Sequence, residues 1–218
     1  MTDITINSTV RHPQRLHPLA LRIMHWLNAI AMILLIGSGW AIYNDEVIFG
    51  WLHFPHWITI GGGPEGALQW HFAAMWLLMI NGLCYLTYGI VSGRFRRKLL
   101  PIRPRDVIAT VQDALRFKLG HDDITHYNAV QKLLYVGVIA IIIVQVLSGL
   151  VVWKPVQFSE LAWLFYSFQG ARLVHFIGMA AIVGFLVVHV ALAILVPKTI
   201  GAMITGGPVV DDADHDAH

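Results

Sequence analysis

Four histidines lie inside long apolar segments of the chain, at positions 25, 71, 175 and 189. His175 and His189 share one apolar run and are fourteen residues apart, so on a helix they point in similar directions at heights that differ by about 21 Å. A polar ring is costly to bury in lipid without a partner. Paired neutral imidazoles at two depths are the ligand set of bis-histidine haem, and two stacked haems would carry electrons across a bilayer.

The composition is that of a membrane protein. Of the 218 residues, 56% are hydrophobic and 13% are charged, and the mean hydropathy is +0.63. Cys84 is the single cysteine, which excludes an internal disulfide, a four-cysteine iron–sulfur cluster and haem attached through a C-x-x-C-H motif. Any haem must therefore be held by coordination and packing.

Four stretches are long and apolar enough to cross a membrane as helices, at about residues 18–43, 67–92, 129–153 and 172–197. We therefore predict an all-α fold, a transmembrane four-helix bundle. The predicted domain division has three parts. These are an N-terminal segment (1–17), the four-span domain (18–200) and a disordered tail (201–218).

The Lys and Arg residues predict the orientation of the bundle. Thirteen lie on one side of the predicted spans, in segments 1–24 and 92–132 and at Lys198, whereas Lys154 and Arg172 lie on the other. We therefore expect both termini in the cytoplasm. The expected location of the protein is the inner membrane. On the same side, the segment RPRDVIATVQDALRFKLG (103–120) is typical of a short amphipathic helix on the membrane surface.

This orientation sorts the four histidines by depth. His25 and His189 fall near the cytoplasmic side, and His71 and His175 fall near the periplasmic side. The predicted pairs are therefore His25 with His189 and His71 with His175.

Simpler interpretations apply to single residues. One histidine in a helix is more often a hydrogen-bonded structural residue than a ligand, and structural zinc would gather its ligands at one depth. Arg22 and Arg172 lie close to the candidate ligands, and each could bind a haem propionate or extend to the membrane surface. The loop histidines His53 and His56 fit an interface better than a metal site.

The residues around the histidines resemble a known family. The motifs are RIMHW (22–26), WH (70–71), HYNAVQK (126–132), ARLVHF (171–176) and VVHV (187–190). Over residues 15–200 the chain resembles the di-haem membrane cytochrome b subunits of formate dehydrogenases, thiosulfate reductases and nickel–iron hydrogenases. KPVQF (154–158) is most similar to the thiosulfate reductase type.

The resemblance implies haem b ligands at all four histidines and a quinone site near the cytoplasmic haem, with Asn128 and His189 beside a menaquinone or ubiquinone. An amide such as that of Asn128 can donate a hydrogen bond to a quinone carbonyl. The resemblance also implies a periplasmic redox partner, typically a molybdopterin oxidoreductase. We assign no catalytic residue. The expected partners are this redox subunit, quinone and membrane lipid, and we expect no nucleic acid partner.

The predicted function is that of an electron-transfer subunit between a periplasmic enzyme and the quinone pool. One alternative is a free-standing cytochrome b561-like protein that oxidises superoxide and reduces quinone, and another is a membrane anchor without redox activity. A superoxide oxidase needs a cationic funnel, but the loop 44–69 contains no Lys or Arg and is rich in aromatic residues. The loop therefore favours a protein partner.

Overall fold

The computed structural model describes residues 14–15, 17–93, 129–207 and 209–210. Within these ranges the helices are α1 (Leu19–Asp45), α2 (Pro64–Val91), α3 (Ala129–Trp153), α4 (Ser159–Leu164), α5 (Phe168–Leu195) and α6 (Pro197–Thr205). Helices α1, α2, α3 and α5 are long and apolar enough to cross a membrane, which confirms the predicted all-α fold. The predicted surface helix (103–120) and Asn128 lie outside the described residues.

The short elements lie at the two ends of the bundle. A 3-10 turn (His56–Ile58) lies in the connection between α1 and α2, and α4 lies in the connection between α3 and α5. We call the end that holds these connections the loop face. The opposite end, the terminal face, holds the start of α1 and the end of α5, together with α6 and two strands, β1 (Gln14–Arg15) and β2 (Val209–Val210), which pair antiparallel.

Two spans begin earlier than predicted. Helix α2 starts at Pro64, and proline suits a first helical position because its missing N–H needs no partner there. Helix α5 starts at Phe168, where the Ser167 side chain accepts a hydrogen bond from the backbone N–H of Gly170 at 3.0 Å. Both starts lie in segments whose polar and glycine residues made them look like loop.

Residues 201–205, which we predicted as part of a disordered tail, are helical and belong to α6. Arg15 and Arg22 donate hydrogen bonds to the backbone carbonyls of Thr205 and Ile204, which α6 leaves without helical partners. Gly206 then ends the helix in the left-handed conformation, with φ of 104°. Arg15, which precedes α1, and Arg22, which lies within α1, thus hold α6 in place. The composition of α6 is itself only weakly apolar.

The four spans form two antiparallel hairpins. Helix α1 packs along α2, and α3 packs along α5, whereas direct contacts between the two hairpins are sparse in the described residues. Ring contacts join the hairpins near the loop face, where Tyr43 packs on Phe176 and Phe72 packs on Trp153. The four membrane histidines lie on helices of both hairpins, so a site built from them lies where the hairpins meet.

Asn81 links the two helices of the first hairpin. Its buried amide donates hydrogen bonds of 2.7 Å to the Met24 carbonyl oxygen and to Oδ1 of Asn28. Hydrogen bonds between membrane helices contribute roughly 0.6–2 kcal/mol each. We expect Asn81→Leu to lower the unfolding free energy of the purified protein in detergent by about 1 kcal/mol.

Titration with a denaturing detergent would measure this change. Ile80→Leu is a matched control because Ile80 is the neighbouring residue and is 62% exposed. Equal midpoints for the Asn81 variant and this control would contradict the assigned role of the amide.

Candidate functional site

The structure brings the four membrane histidines together as two pairs. His25 of α1 faces His189 of α5, with ring centroids 6.2 Å apart, and His71 of α2 faces His175 of α5, with ring centroids 6.4 Å apart. These are the two combinations that the depth argument predicts. Each pair joins one hairpin to the other, and the first lies toward the terminal face while the second lies toward the loop face.

The ring separations fit two ligands on one metal ion. A bond from a metal to an imidazole nitrogen is about 2.0–2.1 Å long, and the ring centre lies about 1.1 Å farther out. Two imidazoles on opposite sides of one ion therefore have centroids about 6.3 Å apart. A direct hydrogen bond between the rings would bring the centroids to about 5.2 Å. Both observed pairs match the first arrangement.

Each pair supplies two protein ligands. Within the described ranges, His, Cys, Asp and Glu side chains form no group of three or more that could hold a metal ion. Haem needs only two axial ligands from the protein because the porphyrin provides the other four. Two pairs of histidines therefore fit two haem groups.

His71 is supported by α1. Its Nδ1 lies 3.0 Å from Oγ of Ser38, a fully buried side chain. Gly39 lies beside the ring, and a Cβ atom at this position would be 3.5 Å from Cε1 of His71. The small Ser-Gly pair thus fits closely against one edge of the imidazole.

His175 is supported by α3 in the same way. Its Nδ1 lies 3.1 Å from Oγ of Ser148 and 3.1 Å from the Gln145 carbonyl oxygen. A Cβ atom at Gly149 would be 3.2 Å from Cε1 of His175, which is tighter than almost all real contacts of this kind. The second hairpin therefore repeats the Ser-Gly support of the first.

The terminal-face pair has aromatic neighbours. The His25 ring meets Trp26 edge-on at 5.5 Å between centroids, and the His189 ring stacks on Phe185 at 5.6 Å. Trp26 in turn donates a hydrogen bond of 3.3 Å to the Met203 carbonyl of α6. Each ring of this pair thus contacts one aromatic side chain.

Arg22 and Arg172 have different surroundings. Nε of Arg22 is buried and has no hydrogen-bond partner in the described part of the chain, so it can still donate to an anionic group near His25. Arg172 donates to the Glu46 carbonyl at 2.5 Å and to Oε1 of Gln169 at 3.0 Å. Arg172 therefore ties the start of α5 to the end of α1, and propionate binding stays a prediction for both residues.

The remaining candidate residues lie outside this site or outside the described structure. His53 and His56 are exposed in the loop-face connection, and Cys84 is exposed on α2. Asn128, the predicted quinone contact, is not among the described residues. His189, the other predicted quinone contact, is the terminal-face ligand candidate of α5.

Sequence reasoning missed Ser38 and Ser148 as functional candidates. Each hydroxyl also donates to a carbonyl of its own helix, so it adds no visible break to an apolar run. A repeated pattern could have revealed both residues. Besides 92–93, Ser-Gly occurs at 38–39 and 148–149, and G-A-x-x-x-H occurs at 66–71 and 170–175.

The loop face exposes large aromatic side chains outside the spans. Trp51 and Trp57 of the first connection are 81% and 85% exposed, and Trp163 of α4 and Tyr166 beyond it are 83% and 98% exposed. Scattered apolar residues are normal on a surface, but four in two adjoining connections are a concentrated set. The set therefore marks a candidate interaction surface.

Comparison with known proteins agrees with this site. The family model described as prokaryotic cytochrome b561 matches residues 16–206. The chain is 52% identical over 191 residues to a putative protein-methionine-sulfoxide reductase subunit, YedZ1, of Azospira oryzae, which covers 88% of this chain and 96% of the relative. It is 25% identical over 187 residues to the cytochrome b556 subunit of a formate dehydrogenase of Escherichia coli K12, with 85% of this chain and 81% of the relative covered.

The family match covers the four spans and all four histidines. It confirms the resemblance to membrane cytochromes b, and it implies haem b as a cofactor of a multi-pass membrane protein. The narrower likeness to thiosulfate reductase cytochromes stays a prediction. The chain belongs to the prokaryotic cytochrome b561 family.

Proposed function

We propose that the chain is a di-haem electron-transfer subunit that connects a quinone site near the terminal face with an oxidoreductase bound at the loop face. The observation that carries the proposal is the geometry of the two histidine pairs, whose centroid separations of 6.2 and 6.4 Å fit bis-histidine ligation. His25 and His189 would hold one haem b, and His71 and His175 would hold the other. When bound, haem b supplies one-electron redox chemistry.

The chain itself provides ligation, orientation and exclusion of water. His175 and His189 set the distance between the two centres, because fourteen residues of one helix rise by about 21 Å. Phe185 and Trp26 contact the rings of the terminal-face pair, and the Ser-Gly supports pack against the rings of the loop-face pair. We further propose that the terminal face is cytoplasmic, since thirteen Lys and Arg residues lie on that side of the predicted spans.

The two relatives support a redox partner. One is named as a subunit of a protein-methionine-sulfoxide reductase, and the other as a subunit of a formate dehydrogenase. The higher identity to the first makes a periplasmic sulfoxide reductase the leading partner class, and a molybdopterin cofactor in that partner is the expectation from the sequence resemblance. Such a partner takes two electrons and two protons to turn a sulfoxide into a thioether and water. Quinol, which releases two electrons and two protons as it becomes quinone, is then the donor.

Bound haem and its reduction by quinol test this proposal. We expect purified protein to contain two haem b groups per chain in a pyridine haemochrome assay, and we expect quinol to reduce them in the optical spectrum. Properly assembled protein without haem would overturn the electron-transfer function and favour a membrane anchor. Rapid reduction by superoxide without any partner protein would favour the free-standing cytochrome instead.

The quinone contact needs a separate variant. Asn128→Ala is expected to slow haem reduction by quinol while both haems stay bound, because it removes an amide that can hydrogen-bond a quinone oxygen. Asn44→Ala is a control of the same residue type near the loop face, where the Asn44 side chain hydrogen-bonds the backbone of Phe54. An unchanged rate in Asn128→Ala would remove this residue from the quinone site.

The loop-face aromatic residues give a prediction about partner binding. Buried Trp side chains are frequent centres of binding energy in protein interfaces, and their loss often costs about 2 kcal/mol or roughly 30-fold in affinity. We expect the double variant Trp57→Ser, Trp163→Ser to weaken partner binding by at least 10-fold without changing the haem count.

Binding of the partner to nanodisc-embedded protein would measure this effect. Trp76→Leu is the control, because Trp76 is also exposed but lies within the span of α2. Equal partner affinity in the double variant and the control would exclude this surface as the docking site.

A further inference from the structure

We propose that Ser38 and Ser148 are positioning residues that orient His71 and His175, the proposed ligands of the loop-face haem, and that would lower the reduction potential of that haem. This inference rests on the proposed function, because it assumes that His71 and His175 bind haem. It assigns a role to two fully buried hydroxyl groups in apolar spans.

The hydrogen-bond directions follow from the number of protons available. Oγ of Ser38 donates to the Leu34 carbonyl at 2.5 Å, and Oγ of Ser148 donates to the Val144 carbonyl at 2.7 Å. A hydroxyl has one proton and two acceptor sites. With its proton engaged by the backbone, each hydroxyl is available to accept a hydrogen bond from the nearby histidine.

This direction fixes the tautomer of the imidazole. The Nδ1 atoms of His71 and His175 lie 3.0 and 3.1 Å from the two serine oxygens, so each Nδ1 carries the proton and donates it. Nε2 is then unprotonated and can bind a metal ion. An imidazole that donates its Nδ1 proton to an acceptor is a more basic ligand. A more basic ligand stabilises the ferric state over the ferrous state, which lowers the reduction potential.

The same contact is built twice from different parts of the chain. A shift of 110 residues takes Ser38-Gly39 of α1 to Ser148-Gly149 of α3. A shift of 104 residues takes His71 of α2 to His175 of α5.

These two shifts also relate the ring contacts near the loop face. They convert the Tyr43–Phe176 pair, at 4.9 Å between centroids, into the Trp153–Phe72 pair, at 5.2 Å. The two hairpins are therefore related by an approximate twofold axis along the bundle. The axis exchanges His71 with His175, so each receives the same support from a serine.

The terminal-face pair does not share this arrangement. The two shifts take His25 to Tyr135 and His189 to Tyr85, so the approximate symmetry does not repeat this pair. In the described part of the chain, neither the His25 ring nor the His189 ring hydrogen-bonds a serine. The serines therefore distinguish the two centres, and their effect is confined to one of them.

Redox titration of the purified protein tests the proposal. We expect Ser38→Ala and Ser148→Ala each to retain two haems per chain and to shift one of the two midpoint potentials upward, with a larger shift in the double variant. In the His189→Ala background, which keeps the loop-face pair, the remaining potential should show the same shift. Ser38→Thr and Ser148→Thr should restore the wild-type value, because threonine also has a hydroxyl at this position.

Thr205→Val is the matched control. Thr205 donates to the Gly201 carbonyl of its own helix at 2.9 Å, as the two serines do to theirs, but it lies in α6. The control should leave both potentials unchanged. Unshifted potentials in the alanine variants, or equal shifts of both haems, would overturn the role of the serines while leaving the haem count and the proposed function intact. A wild-type protein without haem would instead overturn the proposed function.

Discussion

Under the proposed function, replacing His71 with alanine should remove one of two haems and end electron delivery to a loop-face partner. His71 is one of only two side chains that can ligate iron in its pair, and its ring centroid lies 6.4 Å from that of His175. Alanine leaves His175 as the one ligand of the pair. Among the described residues, no third His, Cys, Asp or Glu side chain is grouped with the pair and could take the place of His71. Haem held without covalent attachment depends on such ligands, so we expect the haem count to fall from two to about one per chain.

The position of the lost centre predicts an uneven loss of function. The His25–His189 pair is unaffected in His71→Ala, so quinol should still reduce the remaining haem. Transfer onward to the partner should fall to background, because the missing centre lies on the path. In His25→Ala or His189→Ala, quinol should fail to reduce the haem that remains near the loop face.

His56→Ala is the matched control for these variants. His56 is also on the loop face, but its side chain is exposed and lies outside the spans. It should keep two haems and full electron transfer. Two haems in His71→Ala, by pyridine haemochrome assay on assembled protein, would contradict the assigned ligand pair.

Adding a single methyl group at Gly170 should destabilise the loop-face end of the second hairpin. A Cβ atom at this position would lie 2.0 Å from the Phe165 carbonyl oxygen, whereas real Cβ contacts are essentially never below 3.0 Å. The backbone before α5 must therefore move away. Overpacking of this kind typically costs 1–3 kcal/mol, so we expect Gly170→Ala to lower the unfolding free energy by about 2 kcal/mol.

This displacement should reach His175, a proposed haem ligand. His175 lies five residues after Gly170 on the same helix, and its ring has close contacts with Ser148 and Gly149. A shift of the helix start therefore moves a ligand that has little free space. We expect lower occupancy of the loop-face haem, with the terminal-face haem retained.

Gly184→Ala separates this steric effect from the general effect of replacing glycine. Gly184 lies in the same helix, and a Cβ atom there would meet nothing within 4 Å. Alanine is favoured over glycine inside helices by roughly 0.5–1 kcal/mol, so this control should be neutral or stabilising. Equal detergent-unfolding midpoints and haem contents for Gly170→Ala and Gly184→Ala would contradict the predicted clash.

Much of the fold was predictable because lipid imposes simple rules on sequence. Apolar runs of sufficient length had to be helices, and the spacing of His175 and His189 set two depths on one of them. The charged residues between the spans then assigned His25 and His71 to those depths. The structure places the rings in the same pairs.

Other features depend on contacts that hydropathy does not register. The early start of α5 depends on the Ser167 cap, and the helical state of residues 201–205 depends on arginines from the other end of the chain. Ser38 and Ser148 were missed because their hydroxyls bond to their own helices and thus resemble ordinary polar exceptions in an apolar run. Only a comparison of the two halves of the sequence would have marked them.

The sparse packing between the two hairpins has a consequence for how the protein is made. Helices α1 and α2 contact each other extensively, as do α3 and α5, so each hairpin can form as it leaves the translocation machinery. The two histidine pairs are among the main links between the halves, and under the proposed function those links close through iron. Cofactor supply would then decide the last step of biogenesis. In cells starved of haem, the two hairpins of the newly inserted chain should stay unassembled. Proteases should then degrade the chain.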